Sequence, residues 1–444
     1  MRAPIATEIN TLIGAGALER LDFEAIETAA RREALKVAAY LVAQRLNADH
    51  ADHLGATLEC SCGQQARYAG RHAKSFQTAL GEMTLERAYY HCDACHQGCL
   101  PRDRALGMVD SSLSPAVMRM IGLVGAMVSF EEGSELLGEL AGVRVNTKMV
   151  ERTAEALGAE IAVDERQRVE PIAADEIAPT LYLGMDGTGI PMRASALAGR
   201  PGKQADGSAK TREVKLCTIW SAEEHDDKGI AIRDEGTISY SAAIESAASH
   251  DTDLEPSAFA RRVGREASRR GFERAARQVV LGDGAPWIWN LADEYFPKAI
   301  QIVDRFHVKQ HLSDVAKAIY GPGSDLTQQW TRQRYDQLDA GDIDDIIVAL
   351  AVHATHCDEA RKCIDYLETN RARIRYHDFH QSGLCTSTGV VEAGCKVAIG
   401  TRLKRAGMHW TTPGANAIIA LRCCKLSRRY NDFWAVRAQH ALGN

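Results

Sequence analysis

Residues 181–192 read "LYLGMDGTGIPM". An apolar run meets one aspartate, Asp186, and Gly-Thr-Gly follows at once. Stretches of this kind occur in phosphatases, aspartic proteases, dinucleotide-binding proteins and metal nucleases. The fold therefore turns on what Asp186 holds.

Three of these readings fail on single residues. A haloacid-dehalogenase-type phosphatase needs an Asp nucleophile two residues before the Asp of "DGT", and Gly184 stands there. An aspartic protease needs Asp-Thr-Gly, and Gly187 intervenes. A dinucleotide site needs glycines that open a helix, whereas "GIPMR" (189–193) continues as strand towards a hairpin. A metal nuclease fits, because an RNase H fold carries its first acid on its first strand and runs on into a hairpin. Gly187 and Gly189 are then expected to leave room for metal, water and DNA.

The chain has 444 residues, 45% hydrophobic and 25% charged, an ordinary globular balance for two to four domains. No stretch reaches the ~20 apolar residues of a membrane span. The N-terminus reads as amphipathic helix with repeated acids and lacks the basic start of a signal peptide. The expected location is cytoplasmic. The net charge of −6 does not announce a nucleic-acid binder, but charge is segregated. Residues 393–430 hold eight Lys/Arg and no acid, and 261–277 hold seven Arg against two Glu. Both runs suggest basic faces.

The pattern divides into an N-terminal helical region (1–54), a zinc-ribbon-like module (55–108) and a helical region (109–175). A strand-rich stretch that later alternates follows (176–310), then helices (311–382) and a C-terminal helical region (383–444). The expected fold class is multidomain α/β, with a mixed-sheet core. The Gly-rich segment 197–213 reads as a hairpin loop.

Five of the twelve cysteines lie between 60 and 99. "CSCG" (60–63) supplies Cys60 and Cys62; "CDACHQGC" (92–99) supplies Cys92 and Cys95. Two close pairs about 30 residues apart suit one tetrahedral Zn²⁺. His96 and Cys99 are alternatives for one ligand. The basic residues between, Arg67, Arg71 and Lys74 with His72, suit a ribbon resting on phosphates. The remaining cysteines read as small buried apolar side chains.

"SFEEGSELLGELAGVRVNTKMVERTAEALGAEI" (129–161) reads as a helix-turn-helix. Gly142 is in the turn, Asn146 caps the second helix, and Leu136, Leu137, Leu140, Val143, Val145, Val150 and Leu157 pack the pair. Lys148 and Arg152 fall on the face that would enter a major groove.

Asp186 ends one apolar run and Asp283 ends another, "QVVLGDG" (278–284). Two strands ending on carboxylates at one sheet edge place hard oxygen ligands side by side, as Mg²⁺ prefers. Glu392, in a helix that Ser387 or Thr388 would cap, is the third. Three carboxylates can hold two Mg²⁺ for phosphoryl transfer. Lys396, Arg402, Lys404 and Arg405 lie on the Glu392 side, where they would bind phosphates. Trp287 is a candidate for stacking on a base.

With "MDGTGIPM", "LGDGAPWIWNLADEYFPKAIQIVDRFHVKQHL" and "EAGCKVAIGTRLKRAGMHW" read together, and the cysteine ribbon upstream, the sequence resembles the DDE transposases of bacterial insertion sequences, most of all the Kra group. The resemblance covers nearly the whole chain. It implies an RNase H-like core, interrupted by a helical insertion before the final acidic helix, with Asp186, Asp283 and Glu392 as the Mg²⁺-binding triad (Mn²⁺ as a substitute). It implies strand cleavage at the element's ends and joining of the 3′-OH to target DNA. It implies DNA partners (terminal inverted repeats and target) and a homodimer or higher oligomer, nucleoid-associated in a bacterial cytoplasm. It also makes "DRFHVKQHL" an active-site flank, with His307 beside the scissile phosphate, His311 one turn on, and Asp304 either at the site or as a helix cap. Two other readings remain: a DNA-binding regulator with a degenerate nuclease domain, and an RNase H-like nuclease or resolvase that never joins strands.

Overall fold

The computed structural model describes residues 22–169, 172–202, 204, 207–227, 229, 231–248, 255–386 and 389–443. Ser387 and Thr388, the expected caps, lie outside them, as do residues 1–21 of the expected N-terminal helical region. The chain forms two compact units: residues up to Leu157 together with Tyr430 onwards, and Gly158–Arg429. The expected boundary near 175 is not one of these limits, and the last helix, Tyr430–Gly443, groups with the first unit rather than with 383–429. No helix among the described residues is long and apolar enough to cross a membrane.

In the first unit, helix Phe23–Ala48 precedes a four-stranded antiparallel sheet in sequential order: β1 (Thr57–Glu59), β2 (Gln65–Thr78), β3 (Gly81–His91) and β4 (Gly98–Cys99). β2 and β3 form a long hairpin. Arg71 pairs with Asp52 at 3.0 Å and Lys74 donates to the Ser111 carbonyl at 2.9 Å, so neither is a free phosphate contact. Helices Pro115–Met127, Phe130–Ala141 and Thr147–Gln167 follow. Gly142 is left-handed (φ 69°) and closes the middle helix, and the Asn146 carboxamide accepts from Met149 N at 2.8 Å. Leu137, Val143, Val145, Val150 and Leu157 are buried. Leu136 and Leu140 are 38% and 70% exposed, against the sequence expectation, because the short turn aims the other face of their helix inward.

The second unit is built on a five-stranded sheet, order β11-β10-β5-β6-β9. β5 (Thr180–Pro191), β6 (Thr211–Ser221) and β9 (Ser239–Ala243) are antiparallel neighbours. Between β6 and β9 lies a two-stranded ladder of β7 (Glu224–His225) and β8 (Ala231–Ile232). Helix Ala258–Arg270 then returns the chain to β10 (Arg277–Gly282), which lies parallel to β5 on its other side, with β11 (Ile300–Val303) parallel beyond it. The run Val214–Ser221 is buried throughout because both faces of the sheet are covered. Helices Asp325–Ala340, Ile343–Ala351, Asp358–Thr369 and Tyr376–Gln381 form the region between β11 and Glu392. Tyr376 anchors them by donating to the Val303 carbonyl at 2.9 Å.

Most of the arginine run 261–277 is engaged within this unit instead of forming a free basic face. Arg262 pairs with Glu245, Arg269 with Glu266 and Arg261 with Glu255. Arg270, Arg274 and Arg277 donate to backbone carbonyls. Glu266 is fully buried, and Arg429 Nη1 reaches both its oxygens at 2.9 Å. Burial alone would raise its carboxyl, but Arg429 and Arg269 outweigh it and hold Glu266 at about 2. A depressed carboxyl stabilises the fold above its unfolded value of 4.5, and that stability drains away as pH falls towards 2. Glu266→Gln removes the charged partner of two half-buried guanidiniums, which keep Glu165 and backbone carbonyls, and is expected to cost about 1–3 kcal/mol at pH 7. Urea unfolding should show the gap narrowing at pH 3; an equal gap at both pH values would contradict the assignment.

Candidate active site and metal centre

In an open sheet a ligand crevice forms at the carboxyl ends of adjacent parallel strands whose connections leave in opposite directions. Here that place lies between β5 and β10. Their register pairs Leu281 with Gly184, so continuing two residues sets Asp283 beside Asp186. Asp186 is half-buried. Its Oδ1 accepts the Gly187 N–H at 2.6 Å, and the Cys395 thiol donates to the same carboxylate. Burial, then the charge of Asp283, holds Asp186 above the usual carboxylate range, against the lowering effect of those two donors. Asp283 follows β10 directly; its Oδ1 accepts from Ala285 N at 2.9 Å and its carbonyl from Tyr366 Oη at 2.8 Å. At left-handed Gly284 (φ 96°) a Cβ would stand 2.6 Å from the Tyr366 ring.

Glu392 lies on helix Gly389–Gly394, exposed, and its neighbours Val391 and Gly394 pack on β5 and β6. A Cβ at Gly184 would be 2.1 Å from Val391 Cγ2. Gly184 and Asp186 share a sheet face, so glycine at 184 brings the Glu392 helix against the face that carries Asp186. After Gly394 the helix widens into a π-turn, Cys395–Gly400, a distortion frequent at functional sites. Among the described residues, the three carboxylates do not form a set with all ligand atoms within 4.8 Å of one another. Like charges without a counterion stay apart.

Other expectations change. Gly187 and Gly189 leave no open space: a Cβ there would meet Glu213 Oε1 at 2.3 Å and Thr211 Oγ1 at 3.0 Å, because β6 side chains cross over them. Arg402 is fully buried, its guanidinium 5.3 Å from the Trp410 ring centroid, so it packs the core instead of binding phosphate. Lys396, Lys404 and Arg405 are exposed, and Lys404 reaches Thr188 Oγ1 on β5. Trp287 has Lys215 Nζ 4.1 Å from its ring centroid and Phe259 edge-on, which leaves it less free to stack on a base. Asp304 is buried and caps helix Arg305–Tyr320 through Phe306 N at 2.8 Å, the packing role. His307, one turn inside that helix, is near enough to favour the Asp186 charge. The His311 ring lies 4.4 Å from Tyr366; burial, then His307, pushes its pKa down. Cys395 and Tyr366 escaped the sequence reading.

In the first unit, Lys148 is exposed and pairs with Glu151 at 2.7 Å, and Arg152 is exposed. Cys60, Cys62, Cys92 and Cys95 have all four sulfurs within 4.8 Å of one another and could hold a metal ion. Each pair sits on a tight turn: Gly63 N donates to Cys60 O and His96 N to Cys92 O, both at 2.8 Å. His96 is the left-handed residue of its turn (φ 57°) and is outside the set, as is Cys99, although the Cys99 sulfur lies 3.9 Å from that of Cys60. The Cys62 N–H, and then the neighbouring thiols, outweigh burial and bring Cys60 down to about 6, while Cys62 and Cys95 are pushed up in the same cluster. Of the later cysteines, Cys217, Cys363, Cys385, Cys395, Cys423 and Cys424 are buried and Cys357 half-buried.

Residues 267–431, under half of the chain, match the Uncharacterised protein family (UPF0236). The matched stretch includes Asp283, His307 and Glu392 and excludes Asp186. No curated protein matches the chain.

Proposed function

We propose that this protein is a DDE-type DNA transposase that cleaves the ends of an insertion sequence and joins the freed 3′-OH to target DNA. The observation that carries the reading is the register of β5 and β10, which sets Asp186 beside Asp283 in the crevice where the strand order reverses. The antiparallel β5–β6–β9, the two parallel strands beyond, and the helical region before Glu392 support an RNase H-like core.

The donor set fits Mg²⁺: hard carboxylate oxygens, one held above its usual range by burial and by the charge of its neighbour Asp283. Divalent ions held by Asp186, Asp283 and Glu392 would supply the Lewis acidity of phosphoryl transfer. The chain's own residues do the rest. Lys396, Lys404 and Arg405 attract the phosphates. His307, near enough to act on the Asp186 charge, orients water or phosphate beside it. Cleavage is attack of water on a phosphodiester, leaving a 3′-OH. Joining is attack of that 3′-OH on a target phosphodiester, so one ester bond replaces another and no protein nucleophile is needed. The four-cysteine cluster is read as a structural Zn²⁺ site, and Lys148 and Arg152 as groove-facing residues of a helix-turn-helix.

Strand transfer tests the reading. A pre-cut element end incubated with supercoiled plasmid and Mg²⁺ should give covalent joined products. Cleavage without joining would assign a hydrolytic nuclease; DNA binding with neither would assign a regulator.

A further inference from the structure

The β5–β6 hairpin runs on beyond Asp186, and its far end is bound to a segment more than 200 residues away in sequence. Arg193 N donates to Trp410 O at 2.8 Å and Trp410 N to Pro191 O at 3.2 Å. Arg193 Nε reaches His409 O at 3.4 Å, and Arg212 Nη1 donates to Thr412 Oγ1 at 2.8 Å. Nearer the acids, Lys404 holds Thr188. These bonds join two mainly cationic segments: between 188 and 213 the acids are Asp206 and Glu213, and Glu213 is paired with Lys215 at 2.7 Å. Residues 188–200, 207–212 and 404–412 contain no Asp or Glu, yet they carry Arg193, Arg200, Lys210, Arg212, Lys404, Arg405 and His409. All but Arg212 are exposed. Burial, then the charge of Arg200, lowers Arg212, so the two guanidiniums are close enough to repel. A fold that gathers like charges on its surface calls for a polyanion to offset them.

Distance says which part of the polyanion. Seven residues of strand separate Asp186 from Arg193, at most about 23 Å at ~3.3 Å per residue. Duplex DNA rises ~3.4 Å per base pair, so this span is at most about 7 bp.

We propose that the far end of the β5–β6 hairpin and the 404–412 loop form one cationic surface that grips the DNA backbone up to about 7 bp from the phosphate at the acids. This rests on the transposase reading and adds a second place of contact, displaced along the duplex. The surface fixes the axis of the DNA relative to the acids and carries no base preference of its own.

The test is equilibrium binding of the full-length protein to a duplex of about 30 bp, by fluorescence anisotropy without added Mg²⁺ over a KCl series. For Arg193→Ala/Arg200→Ala/Lys210→Ala, the slope of log affinity against log salt should fall by about 2–3, because each lost phosphate contact removes about 0.9. Arg193→Lys/Arg200→Lys should keep the original slope, separating charge from folding. An unchanged slope in the alanine variant, or an equal loss in the lysine variant, overturns the surface. Strand transfer by the unsubstituted protein is scored separately. A weakened slope without any transfer keeps the surface and removes the transposase reading; transfer with an unchanged slope does the reverse. No binding at low salt removes both.

Discussion

Asp186→Asn should lower Mg²⁺-dependent cleavage of an element end by about three orders of magnitude, and Asp283→Asn by a similar factor. Stabilisation by bound metal is worth several kcal/mol in such sites, and each 1.36 kcal/mol is tenfold in rate. The fold should survive both changes. An Asn oxygen can still accept the Gly187 N–H at 186 and the Ala285 N–H at 283. The substitution also has a sign in metal-free protein. Asp186 is held above its ordinary value, so its charged form burdens the fold. That burden is absent below the unfolded value of 3.8 and grows as pH rises through the folded one. Asp186→Asn should therefore leave the melting temperature at pH 7 in EDTA unchanged or raised. Single-turnover cleavage together with a melting curve reads both. A variant that cleaves within tenfold of the original protein, or that loses its fold, sinks the assignment.

On the proposed reading of the four-cysteine cluster as a zinc site, removing the ion should cost the ribbon its ordered structure. Around the cluster, the buried core among the described residues is Ala66, Ala88 and Tyr90 beside Cys60 and Cys92, with Leu58 packed on it, too little to fold alone. Structural zinc contributes about 10–16 kcal/mol of apparent binding energy near neutral pH, and that energy is folding energy. Cys92→Ser should yield protein with less than one zinc per chain and a hairpin cut rapidly by protease. Cys99→Ser should keep the metal, since its sulfur lies outside the set. Equal zinc content in the Cys92→Ser protein would refute the ligand set; zinc lost with Cys99→Ser would reassign it. Ligation needs thiolates, so affinity should fall as pH drops.

Much of the architecture was legible beforehand, for local reasons. The apolar runs ending at Asp186 and Asp283 are strands, and the turn glycine and Asn146 cap appear where periodicity put them. Cysteine spacing named the four sulfurs that converge, because a CxxC turn is a local geometry. What failed was the reading of charge. The arginines of 261–277 looked like a basic face but serve buried carboxylates and carbonyls, and Arg402 fills a core beside Trp410. A charged residue has the same letter whether solvated or buried, and its partner can lie more than 100 residues away, as Glu266 lies from Arg429.

The sequence by itself determined the element types, the identity of the acids worth testing and the metal-competent cysteines, since these follow from periodicity and short spacing. The tertiary structure alone decided that Gly184 is glycine because the Glu392 helix leans on it, that Cys395 supports Asp186, and which cations face solvent. Those facts depend on strand register and on contacts between distant segments. Burial and Coulomb energy depend on distance in space, and a sequence records only distance along the chain.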